Sequence, residues 1–374
     1  MSWTRFLAIL LKELRQVRRD RLTFGMMVGV PILQLVLFGF AINADPRQLP
    51  LAVVSADGSE FTRAFVAGLQ NSRYFRLVRE AATEAEADGM LERGEAQFAL
   101  VVPADFSRRL QRGERPVLLL AADATDPAAT GNALAALQGV ARQAIGRELT
   151  GPLAPLRPAP DPFELRIQRR YNPEAQTSFN VVPGLVGVIL TMTMVMMTAL
   201  AMTRERERGT MEALLATPAL PIEVMLGKIV PYILIGYVQV AVILAAARLL
   251  FDVPLEGSLL LLSLVLVIFI AANLAVGFTF STIARNQLQA MQLTFFFFLP
   301  SMLLTGFMFP FRGMPMWAQW IGEALPLTHF LRFVRGIMLK GNGIAQIAPE
   351  VWPIALFMLV AGTVALLRYR QTVE

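Results

Sequence analysis

The sequence predicts a polytopic α-helical membrane protein, with six transmembrane helices in a one-plus-five arrangement and an α/β external domain inserted between helices 1 and 2. Three observations predict it. Of the 374 residues, 55% are hydrophobic and only 17% charged. The apolar residues gather into six long runs, and much of the charge lies between the first run and the second. Mean hydropathy is +0.53. The composition excludes a disordered or collagen-like chain. The absence of cysteine excludes a disulfide scaffold, a thiolate nucleophile and Cys-based metal sites.

The runs are Leu22–Ile42, Phe179–Thr203, Ile229–Phe251, Ser258–Ile283, Leu288–Phe309 and Val351–Leu367. A helix rises about 1.5 Å per residue, so about 20 apolar residues cross a hydrocarbon core of about 30 Å. The last run, with 17 residues, is the shortest, and Arg368, Tyr369 and Arg370 follow it as an interfacial stop. Leu22–Ile42 exceeds the apolar core of a signal peptide and no small-x-small cleavage pattern follows it, so it reads as a retained span.

Before the first run lie Arg5, Lys12, Arg15, Arg18, Arg19 and Arg21. Basic residues beside a span hold that end in the cytoplasm, and six spans return the C-terminus to the same side. Within residues 1–21, Trp3, Phe6, Leu7, Leu10, Leu14 and Val17 recur at helical spacing. This describes a cytoplasmic helix lying in the interface, with its basic groups toward lipid headgroups.

Residues 43–178 hold 16 Lys/Arg and 17 Asp/Glu, the composition of a soluble domain, and topology places them outside. Short β-type runs at Leu51–Ser55, Phe75–Val78, Phe98–Val102 and Val117–Ala121 alternate with helical stretches at Ser59–Gln70, Thr83–Arg93, Ala104–Gln111 and Ala128–Thr150. That alternation predicts a small α/β domain. Residues 151–162 carry five prolines and read as a stiff linker back to the membrane. Asp123 and Asp126 read as a solvated turn or helix cap. The net charge of +6 and pI near 10.1 reflect basic cytoplasmic segments, because the charge-rich domain is almost neutral. No nucleic-acid partner is therefore expected.

Catalytic motifs are missing. The one Gly-Lys pair, Gly227-Lys228, has Ile222 where a P-loop needs glycine and Ile229 where it needs Ser or Thr. There is no H-E-x-x-H and no G-x-S-x-G, and the spans carry no acidic relay. The chain is expected to be a non-enzyme with no catalytic or metal-binding residues, driven by an energy source elsewhere.

After the second run comes Arg204-Glu205-Arg206-Glu207-Arg208-Gly209-Thr210-Met211-Glu212-Ala213-Leu214-Leu215-Ala216-Thr217-Pro218. This is an alternating-charge collar, a breaker at Gly209, and a short amphipathic helix ended by Pro218. Such a helix, presenting Met211, Leu214 and Leu215, suits a partner's groove. Within the spans, Met192 and Met196 belong to a methionine-rich stretch, and Phe297 to a run of four phenylalanines. Flexible Met side chains fit varied apolar ligands. Gln239 and Asn273, polar within spans, should face other helices or a cavity. These five residues are the candidate substrate path. After the fifth run, the segment Phe309-Pro310-Phe311-Arg312-Gly313-Met314-Pro315-Met316-Trp317 breaks the helix, and Trp317 and Trp320 suit an interface anchor.

The stretch R-E-R-E-R-G-T-x-E-x-L-L-x-T-P at 204–218 closely resembles the loop after the second span of permease subunits in ABC-2-type ATP-driven exporters. Asn172-Pro173, Pro183-Gly184-Leu185, Leu325-Pro326-Leu327-Thr328-His329-Phe330, Val334-Arg335-Gly336 and Lys340-Gly341 are similar too. The one-plus-five layout resembles the bacterial subgroup of multidrug or drug-export permeases with a large periplasmic domain. The resemblance implies that residues 204–218, within the loop 204–228, couple to a separate ATP-binding subunit, which holds ATP and Mg while this chain binds no cofactor. It implies that residues 1–21 form the connecting helix beside that contact. It implies re-entrant-like helices over 310–350, with Phe309, Pro310, Trp317, Trp320, Pro326 and His329 at an external gate.

The implied assembly is a homodimer or a heterodimer with a paralogous permease in a bacterial inner membrane, with a periplasmic adaptor protein as a further partner by analogy. The implied cargo is hydrophobic or amphipathic. Two other classes compete: a membrane-anchored sensor or assembly scaffold holding an external ligand on 43–178, and an ion-gradient-driven transporter. Five spans after the domain exceed what anchoring requires, and the spans lack the carboxylates that ion coupling uses.

Overall fold

The computed structural model describes residues 46–148, 162–208 and 221–371. The interfacial helix 1–21, the span Leu22–Ile42, nearly all of the Pro-rich linker and the coupling residues from Gly209 to Leu215 lie outside the described residues.

The α/β region runs β1 (Leu49–Ser55), α1 (Glu60–Asn71), β2 (Phe75–Glu80), α2 (Glu84–Glu92), β3 (Phe98–Val102), α3 (Phe106–Gln111), β4 (Val117–Asp123), α4 (Pro127–Glu148) and β5 (Glu164–Arg170). The five strands form one sheet in the order β2-β1-β3-β4-β5. β1 pairs parallel with β2 and β3, β4 pairs antiparallel with β3, and β5 pairs parallel with β4. Successive strand residues point to opposite faces, and the two faces differ in size. Leu49, Leu51, Val53, Phe98, Leu100, Leu118 and Leu120 fill one face under α1 and α4. Ala52, Ala99 and Ala121 line the other, where small side chains let Ala87, Met90 and Leu91 of α2 come close.

Caps fix the helix starts. Ser59 accepts the Thr62 amide of α1, and Thr83 accepts the Glu86 amide of α2. The Glu86 carboxylate accepts in turn from Ala82 N, just ahead of the cap. β5 is a correction to the sequence reading, which ran the linker into the membrane. Only Leu165 and Ile167 of this strand are apolar, yet its register with β4 is continuous from Glu164 to Arg170.

The helical region runs α5 (Thr177–Glu207), α6 (Pro221–Phe251), α7 (Leu259–Ile283), α8 (Gln287–Leu304), a 3-10 turn (Phe311–Gly313), α9 (Met316–Ala324), α10 (Pro326–Lys340) and α11 (Ile344–Gln371). Among the described residues five helices are long and apolar enough to span a membrane: α5, α6, α7, α8 and α11. The marginal run Val351–Leu367 is the middle of the 28-residue α11. The run Leu288–Phe309 is shortened. α8 stops at Leu304 because Gly306 takes a left-handed φ of 84°, a conformation that costs glycine nothing.

α5, α7 and α10 make the core. Phe330 of α10 stacks on Phe269 of α7 at 4.1 Å and meets Phe333 edge-on at 4.7 Å. The crossing of α5 and α10 needs glycine: a Cβ on Gly187 would lie 2.6 Å from both Leu327 and Phe330. α6 and α11 are peripheral, with only 17% and 11% of their most apolar windows buried. Leu234, Val238, Val242 and Leu249 are exposed on α6. So large an apolar surface suits hydrocarbon and not water. Hydroxyls within the spans turn back on their own helices, as Thr198 does to Met194 O and Thr294 to Ala290 O. Their protons are thereby paired without help from water; Thr191, buried on α5, is an exception whose hydroxyl has no partner among the described residues.

Candidate functional site

Three places carry the residues that sequence singles out. The first is the collar at the end of α5. Arg204 and Arg206 sit in its last turn, where basic groups oppose the helix dipole. Glu207 turns to the start of α8, accepting from Gln287 N at 2.8 Å and Gln287 Nε2 at 2.6 Å. An anion at a helix N-terminus satisfies amides that have no partner within the helix. Asn286 caps the same end, accepting the Gln289 amide. The collar thus grips the helix whose far end is the Thr305–Gly306 turn. Arg204, Glu205, Arg206, Glu207 and Arg208 are described; Gly209, Thr210, Met211, Glu212, Leu214 and Leu215 are not.

The second place is the middle of the spans. The Thr193 hydroxyl reaches both Ile189 O at 2.7 Å and Gln239 Oε1 at 3.0 Å, linking α5 to α6. Asn273 is fully buried, with Nδ2 donating to Phe269 O at 2.9 Å and Oδ1 unpartnered among the described residues. Met192 and Met196 are half-buried on α5, and Phe297 meets Phe280 edge-on at 6.0 Å. Gln239 is therefore committed to a helix contact, and Asn273 keeps a free acceptor.

The third place is the junction of the α/β and helical regions. Pro310 caps the 3-10 turn and is buried, while Phe309 packs on the cluster of Leu303, Leu304, Met314 and Ala318. Trp317 and Trp320 face outward from α9, and Ala318 and Gly322 face in. Pro326 is the first residue of α10, where its missing N–H costs nothing. His329 is buried between two acceptors, Nδ1 at 2.5 Å from Glu350 Oε2 and Nε2 at 2.9 Å from Glu323 O. A neutral imidazole has only one N–H. With a partner at each nitrogen, the ring is held in place from both sides. Arg332 closes the cluster with a two-pronged pair to Glu323 and lies over the Phe311 ring at 4.8 Å.

Sequence reasoning passed over the contacts that join the two regions. The C-terminal end of α2 leaves carbonyls with acceptor capacity to spare, although Leu91 O already takes the Gly94 amide. Lys340 Nζ donates to Leu91 O at 2.8 Å, Asn342 Nδ2 to Glu92 O at 3.1 Å, and Arg312 to Gly94 O at 3.2 Å. Lys340 also donates to Asp123 Oδ2 at 2.6 Å and lies 5.1 Å over the Tyr171 ring. Burial pushes the Tyr171 phenol up to about 12, helped by the charges of Asp123 and Glu92.

Asp123 and Asp126 do form a turn and a cap, accepting from Thr125 N and from Ala128 and Ala129 N. Asp123 is shut away from solvent and Asp126 is half-buried. Burial raises the Asp126 carboxyl. Their one sequence signal was the cap spacing, which says nothing of a partner more than 200 residues away.

A chain of apolar membrane-length helices around a buried aromatic core, bearing an α/β domain clamped to two short helices, defines a multi-pass membrane protein. The sequence profile of the ABC-2 family transporter protein matches residues 21–367, and the chain belongs to that family. It is 30% identical to the Probable multidrug ABC transporter permease YbhS of Escherichia coli, over 97% of this chain and 95% of that one. It is 31% identical to the Inner membrane transport permease YhhJ of Escherichia coli, over 97% and 96%. To ABC transporter G family member 20 of Dictyostelium discoideum it is 24% identical over 92% of this chain, which is 47% of that protein.

Proposed function

We propose that the chain is the membrane subunit of an ATP-driven exporter in a bacterial inner membrane, moving hydrophobic or amphipathic molecules outward and coupled to a separate ATPase subunit. Family membership over almost the whole length supports the permease role. The observation that carries the coupling reading is the grip of Glu207 on Gln287. Residues 204–215 meet the ATPase, and nucleotide-driven motion there reaches α8 through that grip. α8 passes it to the turn at Gly306, whose carbonyl accepts from both terminal nitrogens of Arg335 on α10, each at 3.3 Å.

Two copies of the permease, or this chain and a paralogue, complete the assembly with two ATPase subunits. Both termini lie in the cytoplasm and 43–178 in the periplasm, where an adaptor protein docks. Met192, Met196, Gln239, Asn273 and Phe297 line the substrate path, and the segment from Phe309 to His329 gates its exit. The experiment is co-purification with a candidate ATP-binding subunit from the same organism, followed by transport from reconstituted vesicles. The chain alone should hydrolyse no ATP. Leu214→Asp with Leu215→Asp should lose the ATPase or its coupling to transport. Robust hydrolysis by the purified chain, or unchanged binding and transport in the double variant, would overturn the proposal.

A further inference from the structure

A cavity of about 380 Å³ lies at the junction, walled by the loop after α2, the turn after β4, the turn after α8, and the inner faces of α9 and α10. None of the candidate substrate-path residues lines it. Half of its charged groups are spent on one another, and Arg93 turns to a carboxylate outside the lining. Arg332 holds Glu323 and Glu350, Lys340 holds Asp123, and Arg93 holds Glu95.

Arg335 is different. Its terminal nitrogens donate only to the Gly306 carbonyl, its Nε is sealed from solvent with no partner, and no carboxylate among the described residues comes within ion-pair distance. The acid nearest in effect, Asp126, spends its Oδ1 on two backbone amides and the Asn180 amide. Burial lowers the Arg335 pKa against the pull of the Asp126 and Asp123 charges, and burial raises that of Asp126. Arg312, which also lines the cavity, is bonded to Gly94 O and makes no ion pair among the described residues. On the opposite wall Gln97 Oε1 is buried and equally unpartnered. Arg335 and Gln97 both line the cavity, and unpaired polar groups at a cavity wall mark what a ligand would satisfy.

We propose that this cavity binds the phosphate of a glycerophosphate head, with Arg335 as the anion contact and Gln97 accepting from the hydroxyl or ammonium beside the phosphate. Guanidinium suits phosphate because its planar fork donates several hydrogen bonds at once. The same chemistry is offered by an anionic glycerophospholipid and by a soluble glycerophosphate. Position favours the lipid, since α9 lends Gln319 and Glu323 to the cavity lining and carries the exposed Trp317 and Trp320, residues suited to a membrane interface. The site is separate from the proposed substrate path and needs no ATPase.

The test uses the full chain in neutral detergent, with phosphatidylglycerol in one arm and glycerol 3-phosphate in the other. Thermal unfolding and native mass spectrometry of retained lipid are the readouts. Phosphatidylglycerol should raise the unfolding midpoint saturably, and Arg335→Gln should weaken its apparent affinity about tenfold or more. Gln97→Glu, which sets a like charge on the other wall and leaves the helices untouched, should do the same. Arg335→Lys should recover part of the loss. A shift by glycerol 3-phosphate alone assigns the site to the soluble ligand. Equal shifts in wild type and both variants, or no shift by either compound, would overturn the proposal. A purely structural Arg335 would lower the midpoint equally with and without lipid, and that result also overturns it.

Discussion

Lys340 Nζ lies 2.6 Å from Asp123 Oδ2 across the junction of the α/β and helical regions, and the two side chains are only 8% and 9% exposed. A buried pair of this kind is costly to halve, because the surviving charge keeps its desolvation penalty and loses its partner. Lys340→Met should therefore lower stability by about 3–5 kcal/mol. Adding Asp123→Asn should return much of that loss. Denaturant unfolding of the two single variants and the double variant in detergent checks it; additive losses would mean that the pair is not coupled.

Tyr171 predicts an alkaline limb. Its phenol is pushed up to about 12, against about 10 in an unfolded chain. Between those values the unfolded state has lost a proton that the fold retains. Stability then falls as pH rises through the window, by at most about 1.4 kcal/mol per pH unit. Tyr171→Phe should flatten this slope while leaving stability near neutral pH within about 1 kcal/mol of wild type. Unfolding midpoints measured from pH 9 to pH 12 decide it.

His329 is held at both ring nitrogens, by Glu350 Oε2 and by Glu323 O. His329→Phe fills the space but takes a partner from both acceptors; Glu350 keeps Arg332 at 3.5 Å, whereas the Glu323 carbonyl is stranded at about 1–3 kcal/mol. His329→Gln, which can donate to one of them, should fall between. Loss of near-ultraviolet dichroism from the neighbouring aromatics on heating supplies the midpoint.

Glu207 separates coupling from folding. It is exposed, so Glu207→Ala should change stability by less than about 1 kcal/mol. If the collar drives α8, that variant in complex with the ATPase should hydrolyse ATP while moving several-fold less substrate per ATP. A parallel fall in both activities would point to lost assembly instead.

Much of the fold was legible because membrane spans and strands announce themselves locally. The five apolar runs within the described residues are helices, and four strands fall on the β-type runs that composition marks. β5 escaped because Glu164, Arg166, Arg169 and Arg170 dilute its apolar signal; the alternation of Leu165 and Ile167 with charged neighbours was the clue that remained. The end of α8 was misplaced because hydropathy continues to Phe309, whereas backbone direction is set by Gly306. The junction was illegible for a different reason. Asp123 and Lys340 are ordinary charged residues in their own segments, and 217 positions separate them. Only the folded chain shows that three side chains from the helical region finish the end of α2, and that Arg335 has no carboxylate within ion-pair distance among the described residues.

That shared helix end has a consequence for how such chains can be recombined. The α/β domain occupies a contiguous stretch and looks like a cassette that could be cut out and exchanged between relatives. Its α2 terminus, however, is completed by Arg312, Lys340 and Asn342, encoded far downstream. A chimaera that swaps the domain without those three positions inherits an unfinished helix and a stranded Asp123. Successful transplants should be those that carry the two stretches together, as one unit of inheritance written in two places.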